Sequence, residues 1–352
     1  MDINNLEKVL ENEPKYRLKQ ANEAIFKNFI SDWSEAVFLP QDLRKKLNKE
    51  CNLSIKAETL VSKTKDSVKA KIILEDGLKI ETVLMRHNDG RNTVCVSSQV
   101  GCPLGCLFCA TGKMGFKRNL TYSEIIEQVI FFERYLKNEV SGRRTPANFK
   151  RVTNVAFMGM GEPFLNYNNV MKAVRILNNK DGLNIGARSI SVSTAGIKEG
   201  IKKLSEEGIQ INLAISLHAP NNNLRSSLMP INKRYSIEVI LKEVDEYIKE
   251  TKRKVMFEYV LIKDINDSDE CAKELAKIMN PVRNNGSTIS NGVNKKLYFL
   301  NLILYNPTGK FKPSSAKRVE KFKAILKKSG INFVQRYRFG QDIKAACGQF
   351  AS

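Results

Sequence analysis

The chain has 352 residues, 42% hydrophobic and 27% charged, a composition that supports a packed core and excludes disorder of the whole chain. Its 58 Lys and Arg against 37 Asp and Glu give a net charge of +21, a surplus that favours a polyanionic partner, nucleic acid first. No apolar run is long enough to span a membrane, and the start MDINNLEKVLENEPKYRLKQ lacks the apolar stretch of a signal peptide, so we expect a cytoplasmic protein with no membrane partner.

Residues from about 5 to 50 read as short helices, with apolar positions at helical spacing in YRLKQANEAIFKNFI. VKAKIILEDGLKIETVLM then alternates apolar and polar residues about Asp76-Gly77, a hairpin signal. We expect residues 1–88 to form a small, separate N-terminal accessory domain, residues 89–346 the core, and 347–352 a tail. From about Asn92, strands alternate with helices. The predicted strands are Thr93–Val96, Asn154–Met158, Ser189–Ser193, Asn212–Leu217, Val255–Leu261, Leu297–Tyr305 and Phe333–Arg338. The helices between them are Tyr122–Tyr135, Asn168–Leu177, Ile197–Glu207, Ile237–Thr251, Glu270–Met279 and Ala316–Lys328. Repeated strand–helix units imply a parallel sheet, and six are too few to close an eight-fold barrel, so the fold class is α/β with an open partial barrel. The basic stretch Ser141–Arg151 and the Asn/Gly/Ser-rich stretch Asn280–Lys296 read as surface loops.

Seven cysteines with no export signal argue for metal or thiol chemistry rather than a disulfide framework. Three of them, Cys102, Cys106 and Cys109, are spaced C-x3-C-x2-C in VGCPLGCLFCATGKMGF. Structural zinc takes four protein ligands; the nearest His, His87, lies fifteen residues before Cys102, and no second CxxC follows. Three thiolates on one short loop suit a 4Fe–4S cluster with one iron open to a small molecule, the loop pattern of radical S-adenosylmethionine (SAM) enzymes. Four other motifs end predicted strands, the edge where parallel sheets bind ligands. MGMGEP contains Gly161 and Glu162, SVSTAG contains Ser193, SLHAP contains Ser216, Leu217 and His218, and LYNP contains Asn306. Glu162 is placed to accept hydrogen bonds from an ammonium group. Cys347 lies in a Gly-flanked tail, a poor position for a core cysteine; Cys95 sits on the first core strand and Glu81 on the hairpin strand feeding it. Spacing alone does not bring these three together.

These motifs, in order over about residues 80–350, resemble the RlmN/Cfr family of radical SAM RNA methyltransferases. The residues that carry the likeness are VCVSSQVGCPLGCLFCATGKMGFKRNL, FMGMGEPFLN, ISVSTAG, AISLHAPNNNLRSSLMPINKRY, NLILYNP and DIKAACGQ. EPKYRLKQANEAIFK is similar to the family's N-terminal RNA-binding module. The resemblance implies a partial (βα)6 barrel, a 4Fe–4S cluster on Cys102, Cys106 and Cys109, and two SAM molecules per turnover. Gly161, Glu162, Ser193, Ser216, Leu217, His218 and Asn306 would contact SAM. Cys347 would carry the methyl group as S-methylcysteine, Cys95 would resolve the adduct through a disulfide, and Glu81 would take the ring proton. The stretch from Glu81 to Cys95 looks one residue longer here than in the family. The implied substrates are 23S rRNA and tRNA, methylated at C2 of adenosine, with an electron donor such as flavodoxin or ferredoxin and a monomeric enzyme. Pro163 after Gly161-Glu162 favours the C2 branch, whereas LYFLNLILYNP is similar to the C8 branch that confers antibiotic resistance. A radical SAM enzyme acting on a protein or small molecule, and a non-enzymatic zinc-bound RNA-binding protein, are the alternatives from other classes.

Overall fold

A computed structural model describes residues 3, 5–140, 151–279 and 297–351. The predicted loops at 141–151 and 280–296 therefore lie, apart from Arg151, outside the described residues. Three short helices open the chain: α1 (Leu6–Val9), α2 (Lys15–Phe26) and α3 (Gln41–Glu50). They pack about Trp33, fully buried, whose Nε1 donates to Cys51 O at 2.7 Å. Strands β1 (Lys56–Val61), β2 (Ser67–Ile73) and β3 (Lys79–Arg86) follow as an antiparallel meander. The turn at Asp76-Gly77 falls where expected, with Ile73 opposite Lys79 and Gly77 at φ 80°. β1 was not anticipated; it is an exposed edge strand without the buried alternation that marks a strand in sequence.

The core begins at β4 (Asn92–Val96) and then inserts a small antiparallel ribbon, β5 (Gln99–Gly101) and β6 (Phe116–Asn119), with the helical turn α4 (Ala110–Lys113) between them. Strands and helices then alternate: α5 (Tyr122–Val140), β7 (Asn154–Phe157), α6 (Tyr167–Asn178), β8 (Ile190–Thr194), α7 (Lys198–Glu206) and β9 (Asn212–Ser216). They continue through α8 (Asn222–Leu228), α9 (Ile237–Thr251), β10 (Val255–Leu261), α10 (Asp269–Met279), β11 (Tyr298–Leu304), α11 (Ala316–Lys328) and β12 (Phe333–Gln335). Each successive pair from β4–β7 to β11–β12 is parallel, giving six strand–helix units and a final strand, an open partial barrel. The strands read as nearly continuous apolar runs because helices cover their outer face. In α9, Ser236 caps the first turn, Lys252 ends the helix in the left-handed region at φ 55°, and Ile237, Ile240, Val244, Tyr247 and Ile248 form its buried stripe.

The N-terminal unit is not separate from the core. β3 pairs with β4, Val83 opposite Cys95, so the meander extends the barrel sheet to ten strands in the order β1-β2-β3-β4-β7-β8-β9-β10-β11-β12. The division at residue 88 falls between paired strands rather than in a linker. Only α1–α3 stand outside the sheet, docked through Arg134 of α5, which donates to Leu53 O at 2.8 Å and to Ile30 O. The last predicted strand is shorter than expected, ending at Gln335.

Candidate active site

The ribbon β5–β6 pinches the base of the cysteine loop, with Cys102 N–H donating to Gly115 O at 2.9 Å. The loop is closed further by Cys109 N–H to Cys106 O at 3.1 Å and tied outward by Leu107 N–H to Leu228 O at 3.0 Å. Gly112 folds directly against Cys106: a Cβ there would stand 2.9 Å from Cys106 N and 3.0 Å from its O, so only glycine lets the backbone approach this closely. Cys102 and Cys106 pack on the apolar group of Leu104, Leu228 and Met229. Burial pushes the Cys102 thiol up to about 12, and the nearby Glu162 and Cys109 push in the same direction. Cys106 is raised well above its ordinary value, by burial first and then by Cys109 and Cys102. Cys102 and Cys106 are thus held in the neutral form, and cations are what would draw off their protons.

All three thiols line one cleft that opens to solvent. Gly161, Glu162, Ser193, Ser216, His218 and Cys347 line the same cleft. Gly161 stands at φ 101° with its absent Cβ directed onto Gln99 at 2.6 Å, so the turn after β7 requires glycine. Glu162 is buried; its carboxylate accepts from Phe164 N at 3.1 Å and Ala195 N at 2.7 Å, yet burial still pushes it up to about 7. Ser193 Oγ donates to Glu258 Oε2 at 2.7 Å and lies 3.3 Å from Ser216 Oγ. His218 takes the left-handed region at φ 57°, and its Nδ1 accepts from Val260 N at 3.1 Å. Burial, with Arg225 second, pulls His218 down to about 3, so the ring is neutral and its Nδ1 is the acceptor.

Four of the candidate residues do not line this cleft. Leu217 is fully buried behind the rim, its N–H on Glu258 O and its carbonyl accepting from Arg225 Nε, both at 3.1 Å. Asn306 and Cys95 line a second, narrower recess beside the first, together with Met158, Arg336 and Cys347. Asn306 Nδ2 donates to Cys347 O at 3.2 Å, while its buried Oδ1 has no partner. Cys95 is pushed up to about 12 by burial and then by Cys347, against Arg336, which pulls it down. Glu81 lines neither space. It lies buried under the tail, paired with Lys69 Nζ at 2.8 Å and accepting from Ala351 N at 3.0 Å. The tail itself is clamped to the cysteine loop by Ala110 N–H to Gly348 O at 2.8 Å and Thr111 Oγ1 to Phe350 O at 2.7 Å. Cys347 thus borders both spaces, and all seven cysteines are free thiols.

Two charged residues of this site were not anticipated. Glu258 and Arg336 face the cleft and pair at 3.4 Å, and Arg336 also reaches Met158 Sδ at 3.2 Å. A glutamate inside the otherwise apolar strand VMFEYVL was the legible signal for the first. Among the described residues, no three of His, Cys, Asp or Glu converge on a single metal ion. In a 4Fe–4S cube each thiolate binds a different iron, so the three need only ring one cavity, as Cys102, Cys106 and Cys109 do.

A partial parallel barrel with three loop thiols at the strand-end rim is the architecture of a radical SAM enzyme, and the Radical SAM superfamily model matches residues 96–276. A "Probable dual-specificity RNA methyltransferase RlmN" from Dictyoglomus thermophilum is 43% identical over 352 residues, covering 99% of this chain and 94% of its own. One of the same name from Streptococcus thermophilus is 41% identical, covering 97% of this chain and 83% of its own. The crystal structure of a radical SAM methyltransferase from Sphaerobacter thermophilus superposes with a TM-score of 0.87 at 40% identity, over 99% of this chain and 97% of that one. The chain belongs to the RlmN family of dual-specificity RNA methyltransferases. It is therefore an enzyme that uses a 4Fe–4S cluster and SAM and acts on RNA, which sets aside the zinc-bound binding protein and the radical SAM enzyme of other substrates. No helix among the described residues is long and apolar enough to cross a membrane.

Proposed function

We propose that the enzyme methylates C2 of an adenosine in 23S rRNA, at the peptidyl-transferase centre, and C2 of the adenosine 3′ of the anticodon in tRNA, through an S-methylcysteine at Cys347. The observation that carries this reading is the position of Cys347, bordering both the three-thiol cleft and the recess that holds Cys95. Adenine C2 is an electron-poor carbon that cannot take a methyl cation from a sulfonium, whereas a thiolate can. Cys347 sulfur forms the new S–C bond as the sulfonium C–S bond breaks.

Cys102, Cys106 and Cys109 hold the cluster, which when bound and reduced supplies the electron that cleaves SAM to a carbon radical. Glu162 and the Ser193–Ser216–Glu258 group bind and orient the SAM amino acid and ribose portions with acceptors that a buried cleft has stripped of water. His218 offers a neutral ring edge, and the unpaired Oδ1 of Asn306 is an acceptor left for a bound group. Leu217 contributes backbone, holding Ser216 and His218 in place. The SAM-derived radical would take a hydrogen atom from the S-methyl group of Cys347, the resulting methylene radical would add to C2, and the adduct would pass one electron back to the oxidised cluster as Glu81 takes the ring proton. Ala351 N–H occupies Glu81 Oε2, so the tail shifts before that transfer. The Cys95 thiolate then attacks Cys347 sulfur, forming the disulfide as the S–CH2 bond breaks, and the expelled carbon takes up a proton to become the methyl group of the released base. Arg336 is the cation placed to favour that thiolate.

The enzyme works as a cytoplasmic monomer with a flavodoxin or ferredoxin as donor, and its net charge of +21 makes RNA affinity fall steeply with salt. Anaerobic reconstitution followed by assay on ribosomal RNA fragments, with mass mapping of the modified base, tests the assignment. A methyl group on C2 is expected. A methyl group on C8 would transfer the enzyme to the resistance branch that LYFLNLILYNP is similar to, and an unmodified adenosine with modified tRNA alone would remove the ribosomal activity.

A further inference from the structure

Arg225 of α8 is wholly buried and holds the backbone of Ala195 and Ser216, which line the three-thiol cleft. All five of its N–H bonds are used. Nε donates to Leu217 O at 3.1 Å, Nη1 to Asn232 Oδ1 at 2.9 Å and Tyr235 O at 3.2 Å, and Nη2 to Ala195 O at 2.6 Å and Ser216 O at 3.1 Å. None of these acceptors is a carboxylate. A guanidinium does not give up its proton, so a full positive charge is kept out of water against neutral oxygens only. Such a charge is costly to bury unless an opposite charge faces it across the low-dielectric interior.

The opposing group is on the cysteine loop. Cys106 packs on the cluster of apolar residues that includes Leu224, Leu228 and Ala195, the immediate surroundings of Arg225, and Leu107 N–H is held by Leu228 O at 3.0 Å. Through the carbonyls of Ala195 and Ser216, Arg225 stands behind the cleft that Cys102, Cys106 and Cys109 line, with no carboxylate partner there. Three thiolates make a loaded iron–sulfur cube anionic, and reduction adds another negative charge. We propose that Arg225 is a fixed positive counter-charge for the cluster, raising its reduction potential and favouring its retention. The same side chain braces the SAM rim, since the Ala195 peptide it holds by the carbonyl is held by Glu162 through the N–H at 2.7 Å. This rests on Cys102, Cys106 and Cys109 being the cluster ligands.

The test is an EPR-monitored redox titration of the full chain, reconstituted anaerobically, as wild type, Arg225→Gln and Asn232→Asp. Iron and sulfide content of the wild type checks the ligand assignment separately, because its failure would appear there before any variant is compared. Arg225→Gln removes the charge. Asn232→Asp leaves the arginine in place and gives it a carboxylate partner at the position of Oδ1, so it keeps the proposal testable if the first variant fails to fold. Both are expected to move the midpoint potential downward and to lower iron retention. A purely structural role predicts the opposite sign, because loosened packing admits water and solvent favours the more highly charged reduced cluster. An unchanged or raised potential in a variant that folds and retains its iron overturns the proposal.

Discussion

The two sides of the active site are built in different ways. On one side the three thiols come from a single segment, Cys102 to Cys109, whose shape is fixed by local hydrogen bonds and by Gly112. On the other side Cys95, Asn306, Arg336 and Cys347 come from β4, the end of β11, the end of β12 and the tail, and Glu81 lies on β3 beneath the tail. There the sheet register does the assembly. Val83 opposes Cys95, so Glu81, two residues along β3, shares a face with Cys95. A site written in one segment survives as a motif; a site written in five needs the whole fold to exist.

The contrast can be broken first at the compact side. Alanine at any one of Cys102, Cys106 or Cys109 should abolish cluster absorption and all turnover, because two thiolates hold such a cluster poorly when its open site must also bind SAM. Near-stoichiometric iron with full activity in these variants would break the assignment. On the dispersed side, Lys69→Met should destabilise the protein by roughly 3–5 kcal/mol, because it strands a buried carboxylate, and thermal unfolding measures it. Lys69 sits 2.8 Å from Glu81 and also holds Lys344 O at 3.2 Å, so the loss should extend to tail docking.

Glu162 sharpens the comparison through pH. Its carboxyl is pushed up from 4.5 to about 7, so in the empty protein it contributes stability that is whole below pH 4.5 and is lost as pH rises through about 7. Binding an ammonium needs the anion, so SAM affinity should rise over that same upper window. Glu162→Gln should flatten the rise and weaken binding by about 10- to 100-fold, the worth of a charge-assisted hydrogen bond, as isothermal calorimetry at several pH values would record. The smallest effect is expected at Thr111→Val, which removes the 2.7 Å bond to Phe350 O and should loosen the tail by about 1 kcal/mol. Faster proteolysis of the tail with the cluster unaffected is the expected reading.

The same difference explains what was legible beforehand. The open parallel barrel, the cysteine loop and the strand-end residues Gly161, Glu162, Ser193, Ser216 and His218 could be read because period and punctuation place them locally. The continuity of the hairpin with the barrel could not, because the β3–β4 pairing is a tertiary choice that alternation within each strand does not encode. Asn306 ends a strand as expected but turns into the second recess, because its amide is taken by the tail carbonyl of Cys347. Arg336 lies just past the end of β12, where the predicted strand would have continued, and its partner Glu258 is on β10, two strands back along the chain.

The central claim is that Cys347 carries the methyl group and Cys95 releases the product. Cys95→Ala keeps the nucleophile and removes only the thiol that attacks the protein–RNA thioether. Run on a denaturing gel with labelled RNA under turnover conditions, Cys95→Ala should accumulate as a covalent protein–RNA band that vanishes when Cys347→Ala is added. Two merely structural cysteines would give a modest loss of stability for either change and no such band, and its absence from the Cys95→Ala reaction would contradict the account.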